Sequence, residues 1–316
     1  MPRNSHARRS LIATTVAVTG AAVALVATML TGLAEPSAGE RPAGERASPV
    51  RLGGNGVVTE GDRLLHDAEQ RLLRDCMRRH GFTYRVFPLD EDPGIRAFPY
   101  VLDDTAWARR HGYGSELHRE RAARAGSDPN RTYFAALSAD RKAKALVAAN
   151  GPSPDGLTVR LPGGGTVRRS DRGCVAESQQ RLYGDVGAWF RASTRVEALQ
   201  QIRRSRVTAD AGYVERLGEW RSCMGRAGYE FVAPAAARAS ALSAVRPLGK
   251  DREVELALAE VRCADESGLA RTARNLDDHH GRLLAREFRA DVEARDRLRA
   301  AALPRARQAL GDSPQR

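Results

Sequence analysis

The densest set of side chains that could bind a metal ion is the run Asp277-Asp278-His279-His280. Carboxylate and imidazole groups are both ligands for zinc and related ions. Consecutive residues of a helix point in different directions, so at most two members of this run could bind the same ion. Glu287 is seven residues after His280, so these two could lie on one face of the helix. We therefore interpret the run as the solvated start of a helix whose acids cap it, and we predict no metal site there.

Three further candidates lack the spacing that their chemistry requires. The acidic run Asp90-Glu91-Asp92 does not have the spacing of a calcium-binding EF-hand loop. His111, Glu116 and His118 do not follow the His-Glu-x-x-His order of a metalloprotease, and Gly163-Gly164-Gly165 lacks the Gly-Lys-Ser/Thr that completes a phosphate-binding loop. Neither Gly-x-Ser-x-Gly nor Ser-x-x-Lys marks a serine nucleophile. The sequence therefore predicts no catalytic residue, no metal ligand and no cofactor.

The four cysteines carry the clearest pattern in the chain. The same motif occurs twice, as Cys76-Met77-x-x-x-Gly81-Phe82 and as Cys223-Met224-x-x-x-Gly228-Tyr229. A partial third copy places Cys263 five residues before Gly268. Each methionine is expected to pack against the neighbouring aromatic ring, and a copper site built from methionine and cysteine is disfavoured because the chain has only four methionines. The repeated motif indicates a structural role.

Four cysteines in an exported chain most often form two disulfide bonds, and three pairings are possible. No Cys-x-x-Cys pair exists and the histidines do not follow zinc-finger spacing, which disfavours a redox or metal site. We favour pairing Cys76 with Cys174 and Cys223 with Cys263. In that arrangement each Cys-Met helix is linked to the next cysteine-bearing helix of its own half.

The elements that position these cysteines are predicted to be helices closed by glycine. Thr59 and Asp62 cap a helix that ends at Gly81, because a glycine after the last turn adopts the left-handed conformation that terminates a helix. An equivalent helix is predicted from Thr208 to Gly228, and a third over 251–267.

The region between the two motifs is predicted to hold helices over 105–125 and 132–149 and a hairpin. The hairpin pairs 157–161 with 166–168 across Pro162-Gly-Gly-Gly165, and it leads into a helix that starts at Cys174. A C-terminal helix over 276–303 carries a narrow apolar seam of Leu284, Phe288 and Val292, which covers either the core or a partner. The fold class is therefore mainly α: a disulfide-stapled helical domain with one short β-hairpin and two degenerate halves.

The N-terminus predicts export. Three arginines and no acid precede an uncharged run over 11–34, which is a signal peptide cleaved after Ala34 or an uncleaved membrane anchor. A Gly- and Pro-rich linker follows over 35–58. The extracellular domain is assigned to 59–303, with halves of about 59–195 and 205–270, the helix at 276–303 and a disordered tail over 304–316. Contact with a membrane is expected only through 11–34, if that segment is retained.

The charge is strongly basic but dispersed. The chain has 51 lysines and arginines against 39 acids, a formal net charge of +12. Basic and acidic residues alternate along nearly every predicted helix, as is typical of a solvated surface. With no nucleic-acid motif, we predict no nucleic-acid binding. A weak attraction to an anionic wall polymer is expected instead.

A resemblance accompanies these motifs. Together with the Cys-Met repeats, the chain contains the following features: the Pro-Gly-Gly-Gly hairpin leading into Gly173-Cys174-x-x-Glu177, then Leu182-Tyr183-Gly184, Trp220, and Ala259-x-x-x-Cys263-Ala-Asp265-x-x-Gly268-Leu269. This combination resembles a group of uncharacterised secreted proteins and lipoproteins of actinobacteria over about residues 60–270. The resemblance implies a shared cysteine framework and no particular activity. Many members carry a lipobox cysteine, which this chain lacks before Cys76.

These observations predict a non-enzymatic secreted or cell-envelope protein that binds an unknown envelope protein or an anionic wall polymer. The alternative is an extracellular hydrolase of cell-wall material, with acids such as Glu177 or Asp265 in a cleft. Two carboxylates about 5 to 10 Å apart in a cleft would favour the hydrolase. An exposed apolar seam along the C-terminal helix would favour the binding protein.

Overall fold

The computed structural model describes residues 59–86, 89, 96–126 and 128–311. The leader over 1–34, the linker over 35–58 and the acidic run at 90–92 lie outside these residues, so those predictions concern parts that are not described. Within the described ranges the chain forms twelve helices and one two-stranded sheet, which agrees with the predicted fold class. The elements are α1 Glu60–Arg79, α2 Thr105–His111, α3 Ser115–Gly126, α4 Pro129–Ala136, α5 Ala139–Asn150, β1 Gly156–Arg160, β2 Thr166–Ser170, α6 Cys174–Tyr183, α7 Val186–Ala209, α8 Ala211–Arg226, α9 Pro234–Ala241, α10 Lys250–Glu266, α11 Leu269–Glu287 and α12 Arg289–Leu310.

The start of α1 is fixed by a capping box, as predicted. The Thr59 hydroxyl accepts a hydrogen bond from the Asp62 amide at 3.1 Å, and the Asp62 carboxylate accepts one from the Thr59 amide at 3.0 Å. Two of the amides that a helix start leaves unpaired are thereby satisfied. The buried face of α1 then follows a spacing of three and four residues through Leu65, Ala68 and Leu72.

The two Cys-Met motifs end α1 and α8 with the same backbone geometry. The amide of Phe82 donates to the carbonyl of Met77 at 3.0 Å, and the amide of Tyr229 donates to that of Met224 at 2.9 Å. The intervening glycines, 81 and 228, have φ of +75° and +84°. This is the Schellman arrangement, in which a left-handed glycine lets the next residue fold back onto the last turn. The repeat in the sequence is therefore a repeat in structure.

The predicted start of the second copy at Thr208 is wrong. Thr208 lies inside the last turn of α7, where its hydroxyl donates to the carbonyl of Arg204 at 3.0 Å. Helix α8 begins at Ala211, and the carboxylate of Asp210 accepts from the amide of Gly212 at 2.9 Å. Aspartate is the stronger cap here because threonine can satisfy its hydroxyl within a helix. Helix α7 also runs unbroken through 196–204, so the boundary given to the halves falls within one helix.

Both helices predicted between the motifs are divided in two. The segment 105–125 breaks at Gly112 and Gly114, whose φ values are +61° and +84°. A side chain at Gly112 would lie 2.7 Å from Cγ of Glu253, so the break lets the chain approach α10 closely. The segment 132–149 breaks before Ser138, which caps α5 by accepting from the amide of Arg141 at 3.4 Å.

The single C-terminal helix predicted over 276–303 is two helices, and they are longer at both ends. Helix α11 begins directly after Gly268, and Phe288, with φ −110° and ψ 31°, separates it from α12. The tail assigned from 304 is also wrong up to Leu310, because α12 continues through Pro304. Burial accounts for the continuation: Ala302 and Ala306 are fully buried in the cluster that contains Leu65, which outweighs the tendency of proline to end a helix.

The apolar seam of the C-terminal region faces the protein's own core. Leu284 and Val292 are fully buried and pack against Val196 and Leu199 of α7. The described part of this helix pair therefore does not present the exposed seam that would have favoured a binding protein. Helix α7 is the axis of the fold, because α6, α8, α11, α12 and β1 all contact it.

The hairpin forms as predicted, with β1 antiparallel to β2 and Val159 opposite Val167. Its loop requires Gly164 and Gly165, which have φ of +96° and +81°. The glycine run therefore serves the turn. None of the helices in the described ranges is long and apolar enough to cross a membrane.

Candidate functional site

The protein has two disulfide bonds, and each links two helices of one half. The first disulfide, Cys76–Cys174, joins the end of α1 to the start of α6, with Cα atoms 5.5 Å apart. The second disulfide, Cys223–Cys263, joins the end of α8 to the end of α10, also with Cα atoms 5.5 Å apart. These are the two pairs that the sequence favours. Disulfide bonds persist in oxidising compartments, so this framework indicates an extracytoplasmic environment.

The two disulfides have the same type of residue at one neighbouring position and different residues at another. Oε2 of Glu177 lies 3.3 Å from Sγ of Cys76, and Oε2 of Glu266 lies 3.3 Å from Sγ of Cys223. Each glutamate comes three residues after the second cysteine of its pair. A disulfide sulfur carries no proton, so these are contacts and not hydrogen bonds. Four residues after the first cysteine, however, one copy has His80 and the other has Ala227.

A groove of about 690 Å³ lies beside the first disulfide, between the end of α1, helix α5 and the start of α6. This surface, lined by His80, Arg141 and Arg172 among others, is called the groove below. Apolar side chains form much of its wall, and its charged and titratable members come from three separate segments. They are His80, Arg141, Lys144, Asp171, Arg172 and Glu177. The groove therefore combines four basic groups with two acids and an apolar surface.

The wall of the groove depends on two glycines that touch. Gly173, with φ +88°, caps α6, and Gly151, with φ +82°, caps α5. A Cβ atom on Gly173 would lie 2.8 Å from the carbonyl oxygen of Ala149 and closer still to the amide nitrogen of Gly151. Only glycine allows this approach of two backbones. It brings the end of α5 against the start of α6, and so it sets the width of the groove.

The basic side chains of the groove are held to different degrees. The Arg141 guanidinium donates to the carbonyl of Gly81 at 2.9 Å and lies 5.0 Å from the ring centre of Phe82. Lys144 forms an exposed ion pair with Asp140 at 2.8 Å. Arg172 is exposed and forms no ion pair with any residue that the structure describes. Arg141 is thus pre-positioned, while Arg172 is available to a ligand.

One acid of the groove is already paired. The Glu177 carboxylate forms a salt bridge with Arg79 on the last turn of α1. The other predicted acid, Asp265, is exposed near the end of α10 and does not line the groove. The structure therefore places Glu177 and Asp171 in one cleft and leaves Asp265 outside it.

The Asp277-Asp278-His279-His280 run lies in the middle of α11, so its interpretation as a solvated helix start is wrong. Asp277 accepts from the Tyr100 hydroxyl and pairs with Arg203 of α7 at 3.1 Å. Nε2 of His280 lies 3.4 Å from the Asp210 carboxylate that caps α8. Asp277 and His280 are three residues apart and therefore share the face of α11 that meets α7 and α8, while Asp278 and His279 are exposed.

The other candidates from the sequence also have structural surroundings. His111 packs on Trp107 with ring centres 4.5 Å apart, and burial lowers the pKa of His111. Glu116 lies 3.8 Å from Lys250. Met77 and Met224 are buried, and their backbone carbonyls accept the hydrogen bonds that close α1 and α8. In the described ranges, the one set of three ligand atoms close enough for a metal ion is Cys76, His80 and Cys174, which lie within 4.8 Å of one another.

Sequence reasoning missed two buried acids of α10 that hold the segment 96–115. Glu260 accepts from the amide of Leu102 at 2.8 Å and from the Tyr113 hydroxyl. Glu253 accepts from the amides of Tyr113 at 2.8 Å and Ser115 at 3.0 Å. Burial raises the pKa of Glu260 to about 7. A signal did exist: both acids occupy positions in the apolar stripe of α10, where a charge needs a partner.

Sequence reasoning also missed the basic residues of the groove and the buried Glu69. Arg141, Lys144 and Arg172 belong to segments that only the folded chain brings together, so no local pattern marks them. Glu69 lies in the apolar face of α1, and burial raises its pKa although Gln179 donates to it at 2.8 Å. Comparisons of the chain with protein families, with curated proteins and with solved structures find no match.

Proposed function

We infer that this protein is a non-enzymatic secreted or cell-envelope protein that binds an anionic wall polymer in the groove. The observation that supports this proposal is the lining of the groove, in which Arg141, Lys144, Arg172 and His80 surround an apolar wall. A matching ligand carries repeated negative groups on a chain whose carbon and sugar surface can cover apolar side chains. Phosphodiester and uronate polymers have this chemistry.

The state of each cation supports the same class of ligand. Arg141 is held by the carbonyl of Gly81 and the ring of Phe82, so little side-chain entropy remains for it to lose on binding. The planar guanidinium of the exposed Arg172 can bind a phosphate or carboxylate through two parallel hydrogen bonds. Binding of this kind weakens with salt, because charges at a surface are screened beyond about 8 Å at physiological ionic strength.

The test compares binding of a phosphodiester polymer by two variants with equal charge. The groove variant is R141Q/K144Q/R172Q, and the matched control is R282Q/R286Q/R289Q, whose exposed arginines lie outside the groove. Sedimentation with poly(glycerol phosphate), and with neutral dextran as a negative control, measures binding. We expect the groove variant to bind about 10-fold more weakly, from three surface contacts of roughly 0.5 kcal/mol each. Equal losses in both variants would assign binding to net charge and reject the groove.

The proposed location has its own test. We expect the protein in the culture supernatant of its host to have an intact mass that begins at Glu35, as cleavage after Ala34 requires. Full-length protein in the membrane fraction would replace secretion with anchoring through 11–34. Recovery of the chain from the cytoplasm alone, with all four cysteines reduced, would contradict an envelope function.

A wall hydrolase is the second candidate, because Asp171 and Glu177 both line the groove. The salt bridge between Glu177 and Arg79 argues against it, because the Glu177 carboxylate is already engaged by a neighbouring side chain and not by a substrate. Release of soluble fragments from purified wall material decides between the two. Release by the wild-type protein that D171N/E177Q abolishes would establish the hydrolase, and no release above buffer would leave the binding function.

A further inference from the structure

A second and smaller pocket lies next to the groove, between α1, α4 and α5. Helix α5 separates the two spaces, because Lys144 and Ala148 line the groove while Ala145 and Ala149 line the smaller pocket. The wall of the smaller pocket is mostly apolar, and we call it the apolar pocket. Its main members are Leu73, Met77, Phe82, Phe134, Ala149 and Val175.

The apolar pocket opens to solvent beside the groove. Phe82 lines both spaces, and the Arg141 guanidinium of the groove lies 5.0 Å from the centre of its ring. Thr83 is exposed and Tyr133 is half-buried, so these two lining residues mark the rim. Hydrogen bonding to the Thr83 backbone and to Arg141 lowers the pKa of the Tyr133 phenol. The Tyr133 hydroxyl therefore lies between the apolar pocket and a cation of the groove.

One buried amide supplies a polar group to the apolar pocket. Asn130 lines it and is 4% exposed. Its Oδ1 accepts from the amide of Arg85 at 2.7 Å, and its Nδ2 donates to the carbonyl of Arg85 at 2.8 Å. These two bonds fix the side chain, and an amide nitrogen has a second N–H to donate. A fixed donor in an apolar wall favours an occupant that carries a carbonyl oxygen.

The size of the apolar pocket limits what it can bind. Its volume is about 50 Å³, compared with about 690 Å³ for the groove. About 10 to 15 Å³ of such space holds one water-sized group, so the apolar pocket has room for roughly four of them. An acetyl group is of this size, whereas a sugar ring or a glycerol phosphate unit is larger. The apolar pocket therefore fits a small substituent of a polymer and not its backbone.

We propose that the apolar pocket binds an acetyl substituent of the anionic polymer that lies in the groove. This inference rests on the proposed function and adds to it the substituent that the polymer carries. The acetyl methyl packs against Phe82 and Phe134, and its carbonyl oxygen accepts from Asn130. The ester or amide link passes Tyr133 at the rim, so the nearest negative group of the polymer meets Arg141.

The experiment compares two short glycerol phosphate oligomers of equal charge, one unmodified and one acetylated at its free hydroxyls. Isothermal titration calorimetry with the oxidised mature chain measures both affinities. We expect the acetylated oligomer to bind roughly fourfold more tightly, the contribution of one buried methyl group. A third oligomer carries benzoyl groups, which are too large for the apolar pocket, and it should bind like the unmodified one. An affinity that rises from acetyl to benzoyl would indicate adsorption to the apolar wall of the groove and overturn the proposal.

Two variants assign the effect to the apolar pocket. A149L places a larger side chain in its wall, and leucine and alanine are both good helix formers, so α5 is retained. The matched control is A135L, an exposed position of α4 that lines neither space. We expect A149L to bind both oligomers with the affinity of the wild type for the unmodified one, and A135L to keep the preference for acetyl. A preference that survives in A149L would overturn the proposal.

The two proposals fail in different ways. Equal binding of the acetylated and unmodified oligomers by the wild type rejects the acetyl subsite. The proposed function then stands if R141Q/K144Q/R172Q still binds both oligomers more weakly than the wild type does. If that groove variant binds the unmodified oligomer as tightly as the wild type, both the groove function and the acetyl subsite are rejected.

Discussion

Replacing the buried Glu260 by glutamine should make the protein less sensitive to pH. The Glu260 carboxyl group is 1% exposed and faces the amide of Leu102, the Tyr113 hydroxyl and, at longer range, Arg238. Loss of hydration on burial outweighs these partners and raises its pKa from 4.5 to about 7. The free-energy equivalent of that difference is about 3 kcal/mol.

The direction of the effect follows from which state ionises first. Below pH 4.5 the carboxyl is protonated in both folded and unfolded chains. As the pH rises from 4.5 to about 7, the unfolded chain releases its proton while the folded chain retains it. The unfolded state is then favoured, so about 3 kcal/mol of stability present at acid pH is lost by neutral pH. Other buried acids with a raised pKa, such as Glu69, act in the same direction.

The assay is urea unfolding at several pH values for the wild type, E260Q and E255Q. Glu255 is an exposed acid on the same helix, so E255Q is a matched control. We expect the unfolding free energy of E260Q minus that of the wild type to increase by about 3 kcal/mol from pH 4.5 to above pH 7, because only the wild type loses stability through this ionisation. E255Q should follow the wild type throughout. A constant difference between E260Q and the wild type would refute the assigned ionisation of Glu260.

Two further predictions concern the framework around the groove. G173A should unfold at lower urea than G164A: both glycines have positive φ, but a Cβ at Gly173 collides with the backbone at Gly151 while that at Gly164 meets nothing within 4 Å. A difference below about 1 kcal/mol would show that the two backbones can separate without cost. Replacing both cysteines of a pair by serine should cost about 5 kcal/mol for the first disulfide and about 4 kcal/mol for the second, because they close loops of 98 and 40 residues. Chemical unfolding measures both, and a larger cost for the second disulfide would contradict the loop-closure explanation.

The ends of helices were predictable wherever a short motif determines them. The Thr59 and Asp62 side chains and the glycine after each Cys-Met motif act on their own neighbours, so sequence alone identifies their effect. The hairpin was predictable for the same reason, since its loop needs residues with positive φ. These are local interactions, and local interactions do not depend on knowing the rest of the fold.

Other elements depend on contacts that the local pattern does not contain. The break at Gly112 is stabilised by Glu253, which is 141 residues away in the chain. Helix α12 continues past Pro304 because alanines on either side of it are buried against α1. The groove is of this kind too, because its basic residues come from the end of α1, from α5 and from the turn before α6. No sequence pattern could have assembled them.

The two copies of the Cys-Met motif show why a repeated motif need not give a repeated site. In the first copy the disulfide reaches Cys174 at the beginning of α6, so the turn that precedes α6 and the end of α5 are brought beside it. In the second copy it reaches Cys263 near the end of α10, where both cysteines belong to the core cluster that contains Trp220 and Met224. The same covalent link therefore joins a helix end to a helix start in one half and to another helix end in the other. His80 lines the groove, and Ala227 stands at the equivalent position of the second copy, so this groove residue is not part of the repeated motif.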